Sequence, residues 1–97
     1  MISRAEKAMN ICNITNEVVD EVGRAIEFHE GMHSPHEAYS VILEELEEYW
    51  DEVRAFNPKK GRDTRSRQRA ELIQLAAMAI RAISDTIDFG KKYDVVN

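Results

Sequence analysis

Glycine, proline and cysteine are scarce in this chain of 97 residues. Four glycines and two prolines leave long stretches in which a helix meets no breaker. The single cysteine, Cys12, excludes an intramolecular disulfide. It falls in an apolar stripe and is expected to be a small buried hydrophobe. Basic charge is also short: 13 Lys and Arg against 18 Asp and Glu give a net charge of −5. That balance argues against nucleic acid as a partner, since a general binder would carry a basic face. Long apolar runs are missing too. No stretch approaches the roughly 18 apolar residues of a transmembrane helix. The first ten residues, MISRAEKAMN, lack the apolar centre of a signal peptide. A cytoplasmic protein without membrane contact is expected.

What remains is helical. The length fits a single domain over residues 1–97. A chain this short buries only about 60–65% of its extended surface, so it is marginal as a monomer. The first segment runs from about Ser3 to Phe28, with Ala8, Ile11, Cys12, Thr15, Val18, Val19, Val22, Ala25 and Ile26 at helical spacing. Gly31 lies just beyond, where a left-handed residue often ends a helix. The second segment opens with Ser34-Pro35-His36-Glu37: Ser34 as N-cap, Pro35 at the first helical position, and Glu37 reaching back in a capping box. Its apolar set is Tyr39, Ile42, Leu43, Leu46, Tyr49, Trp50, Val53 and Phe56, and Asn57-Pro58 stops it. The third begins near Asp63 or Thr64, continues to about Phe89, and is apolar around most of its circumference. Such a helix is usually central. The tail KKYDVVN is either loose or packed on a partner. The expected fold is all-α, a long-helix bundle completed by homo-oligomerisation.

Against this background, residues 44–52 stand out. They read EELEEYWDE, six carboxylates in nine positions. With Leu46 set at the centre of the buried face, Glu45, Glu48 and Glu52 share one flank, roughly 100–160° away. Glu44, Glu47 and Asp51 fall on the opposite flank or the back. Like charges one turn apart repel by about 0.2–0.5 kcal/mol, so a partly buried flank needs something to offset them. The third helix carries one narrow polar stripe: Glu71, Gln74, Arg81 and Asp85, with Met78 among them. Glu71 is the natural match for Glu45 and Glu48. Three carboxylates converging between two helices make a hard, oxygen-rich site suited to Mg²⁺ or Mn²⁺. The plainer reading is a solvated acidic face on a non-catalytic helical interaction module.

Between the two helices lies NPKKGRDTRSRQR, with six cations in eleven residues from Lys59 to Arg69. Acid for a cation beside base for an anion is the arrangement that suits a metal-bound polyphosphate. His29, His33 and His36 are either a transition-metal cluster or helix-end histidines near a nucleotide. Asn13 and Asn16, with Asn10, either read a base edge or form an exposed polar face. Trp50 and Tyr49 either stack on a base or belong to a core or interface. Glu30-x-x-His33 has the form of a di-iron ligand pair but sits at a helix end, which ranks that reading below the others.

The E-E-x-x-E of Glu44, Glu45 and Glu48, at this distance from an RxExxQxAAMAxR helix, resembles the MazG-like all-α nucleoside triphosphate pyrophosphohydrolases. The matching stretches are HSPHEAYSVILEELEEYWDEV and RAELIQLAAMAIRAISD, residues 33–53 and 69–85. They look especially like the small phage and bacterial branch of dATP/dGTP diphosphohydrolases, the MazZ type. The resemblance implies a helical bundle assembled as a homodimer or homotetramer. It implies conversion of a nucleoside triphosphate and water to the monophosphate and pyrophosphate, purine deoxynucleotides favoured, in a bacterial or phage-infected cytosol. It implies two or more Mg²⁺ or Mn²⁺ ions per site. Glu45 and Glu48 match metal ligands and Glu71 matches the first ligand of the second motif. Gln74 stands where that motif usually has a second acid. Glu44 or Glu45 would orient or deprotonate the attacking water. Lys59, Lys60, Arg62 or Arg67 would neutralise the outer phosphates. Asn13, Asn16, His33 and His36 are the candidate nucleotide contacts.

Overall fold

The structure, a computed structural model, describes residues 1–90. The tail KKYDVVN lies outside the described residues. Three α-helices account for most of the rest: α1 (Arg4–Phe28), α2 (Pro35–Ala55) and α3 (Arg65–Ile83). There is no strand among the described residues. No helix among them is long and apolar enough to cross a membrane.

The first two helices each start with a side-chain cap. At α1 the Glu6 N–H donates to Ser3 Oγ and the Ser3 N–H donates to Glu6 Oε1, a full capping box. At α2 the Glu37 N–H donates to Ser34 Oγ, but the return bond differs from expectation. Glu37 Oε1 accepts from the His33 N–H, one residue before the cap. Phe56 caps the end of α2, and a 3₁₀ turn, Pro58–Lys60, closes on Gly61. Gly61 is the positive-φ residue among those described, at 73°. Gly31 is therefore not a left-handed stop. What it requires is space: a Cβ there would sit 3.2 Å from Asp85 Oδ2. The third helix is α only as far as Ile83 and continues as a π-helical turn, Ser84–Asp88. The turn ends at Asp88 with Phe89 as its cap, and Gly90 follows where a Cβ would collide with the Thr86 carbonyl.

As expected, α3 is the central helix, packed against both α1 and α2. The core it makes is small: Val18, Ala25, Met32, Ala38, Ala77 and Met78. Several faces expected inside are not. Leu46 is 46% exposed and Trp50 55%, with Tyr39 and Leu43 on the same side of α2. The side of α2 turned to α3 instead carries Ala38, Val41, Ile42, Glu45, Tyr49 and Val53. On α3, Leu72, Ile80, Ile83 and Ile87 are exposed. Cys12 is exposed as well. Along α1, only Ile14 is half-buried between Arg4 and Glu17.

Thr64 joins α2 to α3. Its side chain is 1% exposed, its hydroxyl donates to the Glu52 carbonyl at 2.5 Å and accepts from Gln68 Nε2 at 3.1 Å. The start of α3 is thereby fixed against the last turns of α2, which sets how the two acidic stretches meet.

Candidate metal centre

The meeting point is Glu45 and Glu48 from α2 with Glu71 from α3. Each offers a carboxylate oxygen, and these oxygens lie within 4.8 Å of one another. Among the described residues this is the one group of three or more His, Cys, Asp or Glu side chains that converges so closely. Glu45 and Glu71 are half-buried and Glu48 is exposed, so the cluster opens to solvent on one side.

Electrostatics follow from that crowding. Burial pushes the Glu45 carboxyl up to about 7, with the charges of Glu48, Glu71 and Glu44 adding to it. Burial also raises Glu71, assisted by Glu48 and Glu52, while a hydrogen bond from Glu45 works the other way. A proton on Glu45 lessens the repulsion. A hard divalent cation would relieve it too, and the donor set fits one: all oxygen, anionic, drawn from two rigid helices.

Of the four basic residues expected at phosphates, Arg67 is brought to the carboxylates. Its Nε lies 3.0 Å from Glu52 Oε1, one turn beyond Glu48 on α2 and one turn before Glu71 on α3. Lys59, Lys60 and Arg62 are exposed on the α2–α3 connection. None of those three is in an ion pair among the described residues. Two other arginines of the basic stretch are engaged: Arg65 with Asp63 at 2.7 Å, and Arg69 with Glu17 of α1 at 2.5 Å.

Beside the carboxylates runs a cleft of about 700 Å³. Phe28, Met32, Val41 and Met78 give it apolar walls, while Glu44, Glu45 and Gln74 line the side nearest the acids. Glu21, Arg24 and Gln74 also line a second, polar cleft of about 430 Å³ that extends toward Ser66 and Arg69. Gln74, one turn beyond Glu71, therefore sits where the two clefts and the carboxylates adjoin. The sequence-predicted nucleotide contacts lie elsewhere. Asn13 and Asn16 are exposed on α1 outside both clefts, and His33 and His36 are exposed at the start of α2. His33 pairs with Glu37, its Nδ1 3.4 Å from the carboxylate.

Sequence reasoning missed the cleft. Phe28, Met32 and Met78 carry no motif. The legible signal was the polar stripe of α3, which the fold divides in two. Glu71 and Gln74 go to the carboxylates, whereas Arg81 and Asp85 go to the α1–α2 connection.

Fold and site together define a class, an all-helical chain with a three-carboxylate cluster between two helices and an apolar-walled cleft beside it. Comparison with protein-family models, with curated proteins and with solved structures gave no match.

Proposed function

We propose that this chain is a metal-dependent nucleoside triphosphate pyrophosphohydrolase, of the kind its acidic and RxExxQxAAMAxR stretches resemble. The reaction is (d)NTP and water to (d)NMP and pyrophosphate, with purine deoxynucleotides favoured. The observation that carries this reading is the convergence of Glu45, Glu48 and Glu71. A solvated acidic face would leave its carboxylates apart and ordinary. Here they come from two helices, and Glu45 is held near pH 7.

Glu45, Glu48 and Glu71 would hold Mg²⁺ or Mn²⁺, two or more ions if the resemblance extends to metal number, with Gln74 at the edge of the set. A divalent cation there supplies positive charge to phosphate oxygens and makes a neighbouring water more acidic. The remaining steps belong to the chain's own side chains. Glu44, exposed beside Glu45 on the cleft wall, is placed to take a proton from the water that attacks the α-phosphorus. Arg67, paired with Glu52, would supply a guanidinium to the outer phosphates. Lys59, Lys60 and Arg62 add positive charge on the connection that follows α2. The apolar-walled cleft has room for the nucleoside.

The uncovered stripes of α2 and α3 support a homodimer or homotetramer, in which a second copy covers Leu46, Trp50, Ile80 and Ile83. An enzyme of this kind works where nucleotides are, in a bacterial or phage-infected cytosol.

The same uncovered stripes favour a second reading, a helical interaction module without catalysis. One experiment separates the two. Pyrophosphate release is measured over a panel of NTPs and dNTPs with Mg²⁺ or Mn²⁺, with EDTA as control. Release from one or two nucleotides, abolished by EDTA and by Glu48→Gln, supports the hydrolase. No release from any nucleotide by folded, assembled protein leaves the interaction module.

A further inference from the structure

Arg81 is 6% exposed, an arginine almost wholly inside a small helical protein. Its Nη2 donates to the Glu30 carbonyl at 2.8 Å. Asp85, one turn further on, accepts the Met32 N–H at 2.9 Å and stands 3.8 Å from Arg81 Nη2. Both hydrogen bonds go to backbone of the 29–33 connection, and His29, Glu30, Gly31 and Met32 of that connection line the main cleft. The fit is close, for a Cβ on Gly31 would lie 3.2 Å from Asp85 Oδ2 and 3.3 Å from its Cγ. Asp85 itself lies in the π-helical turn of residues 84–88, a distortion often found where a helix serves a site.

Stability alone is a poor reason for this arrangement. Arg81 Nε is buried without a hydrogen-bond partner, a desolvation cost that an apolar side chain would not carry. What an apolar side chain could not do is hold the Glu30 carbonyl.

We propose that Arg81 and Asp85 are positioning residues that clasp the 29–33 connection by its backbone and so fix the wall of the main cleft. The clasp stands by itself, whereas its bearing on a nucleotide rests on the hydrolase reading above. In that reading it sets how tightly the nucleoside is gripped and leaves the carboxylate cluster untouched.

The test uses the whole chain and three readouts. These are hydrogen exchange at the Met32 amide, affinity for Mn²⁺ alone, and affinity for the Mn²⁺ complexes of α,β-methylene dNTP analogues. Asp85→Ala is expected to speed Met32 exchange about tenfold and to weaken the best analogue about tenfold, with Mn²⁺ affinity unchanged. Asp85→Asn keeps an acceptor oxygen and should stay close to the parent. Arg81→Met removes the donor to the Glu30 carbonyl and should lower the melting temperature and weaken the analogue while leaving Mn²⁺ affinity unchanged. Should Asp85→Ala fail to fold, Gly31→Ala loads the same contact more gently and should also weaken the analogue. Met32 exchange that ignores Asp85→Ala overturns the clasp. So does faster exchange with unchanged analogue affinity, or a parallel loss of Mn²⁺ binding. If the parent binds Mn²⁺ but no analogue, the hydrolase reading and the cleft's role in it fall, and Met32 exchange still decides whether the clasp exists.

Discussion

Glu45 of α2 and Glu71 of α3 bring carboxylate oxygens within 4.8 Å of one another, with Glu48 completing the group. Two helices that need to pack place like charges at their contact. Glu45 lies on the very side of α2 that faces α3.

Removing one ligand should therefore cost metal and little else. Glu48 is exposed, so Glu48→Gln should fold normally by circular dichroism. Mn²⁺ affinity, measured by calorimetry, should fall at least about tenfold, and Glu71→Gln should behave alike.

The raised carboxyl of Glu45 gives a pH dependence with a definite sign. An acid whose folded pKa lies above its ordinary 4.5, here at about 7, binds more protons folded than unfolded between those values. Metal-free stability should thus fall as pH rises from about 4.5 through about 7. Melting scans in EDTA check this, and Glu45→Gln should flatten the slope. Mn²⁺ competes with the proton, so its stabilisation should be larger at pH 7.5 than at pH 5.5.

Arg67 differs from the lysines near it because Glu52 holds it beside the cluster. Arg67→Ala should raise KM for a nucleotide about tenfold, while stability changes by no more than about 1 kcal/mol, as for an exposed ion pair. Lys59→Ala, lacking such a tether, should have a smaller effect. Steady-state kinetics on both variants would show the contrast.

Thr64 offers a purely structural check. Thr64→Val keeps the shape and removes the bonds to the Glu52 carbonyl and the Gln68 amide. Leaving those groups unpaired should cost about 1–3 kcal/mol in urea unfolding. Mn²⁺ affinity should weaken too, because the register of α2 against α3 loosens.

Much of this was legible in the chain. Helical spacing gave three helices, Ser34-Pro35 marked a start, and the angular argument put Glu45, Glu48 and Glu52 on one flank with Glu71 opposite. The choice of buried face was not legible. Helix α2 has two apolar sides, and periodicity ranks them by hydrophobicity. The richer side, Tyr39, Leu43, Leu46 and Trp50, is the one α3 does not cover. A small residue, Ala38, permits close approach on the other side, and a carboxylate there looks like an error until its partners are seen. The cleft was hidden for a related reason. Phe28, Met32 and Met78 come from three elements and converge only after folding.

The uncovered sides of α2 and α3 should also decide assembly. Leu46→Glu and Ile83→Glu are expected to shift the sedimenting species toward monomer and to lower the melting temperature, since each puts a charge where a second copy would pack. Analytical ultracentrifugation across a concentration series reads this directly.

Among the described residues, six buried apolar side chains make a thin core for three long helices. If neighbours supply the missing contacts, abundance becomes a fold determinant: dilution acts on this chain as a denaturant would. Newly made copies would stay idle until enough had accumulated to find one another. Output would then rise more steeply than copy number, giving a threshold that needs no effector.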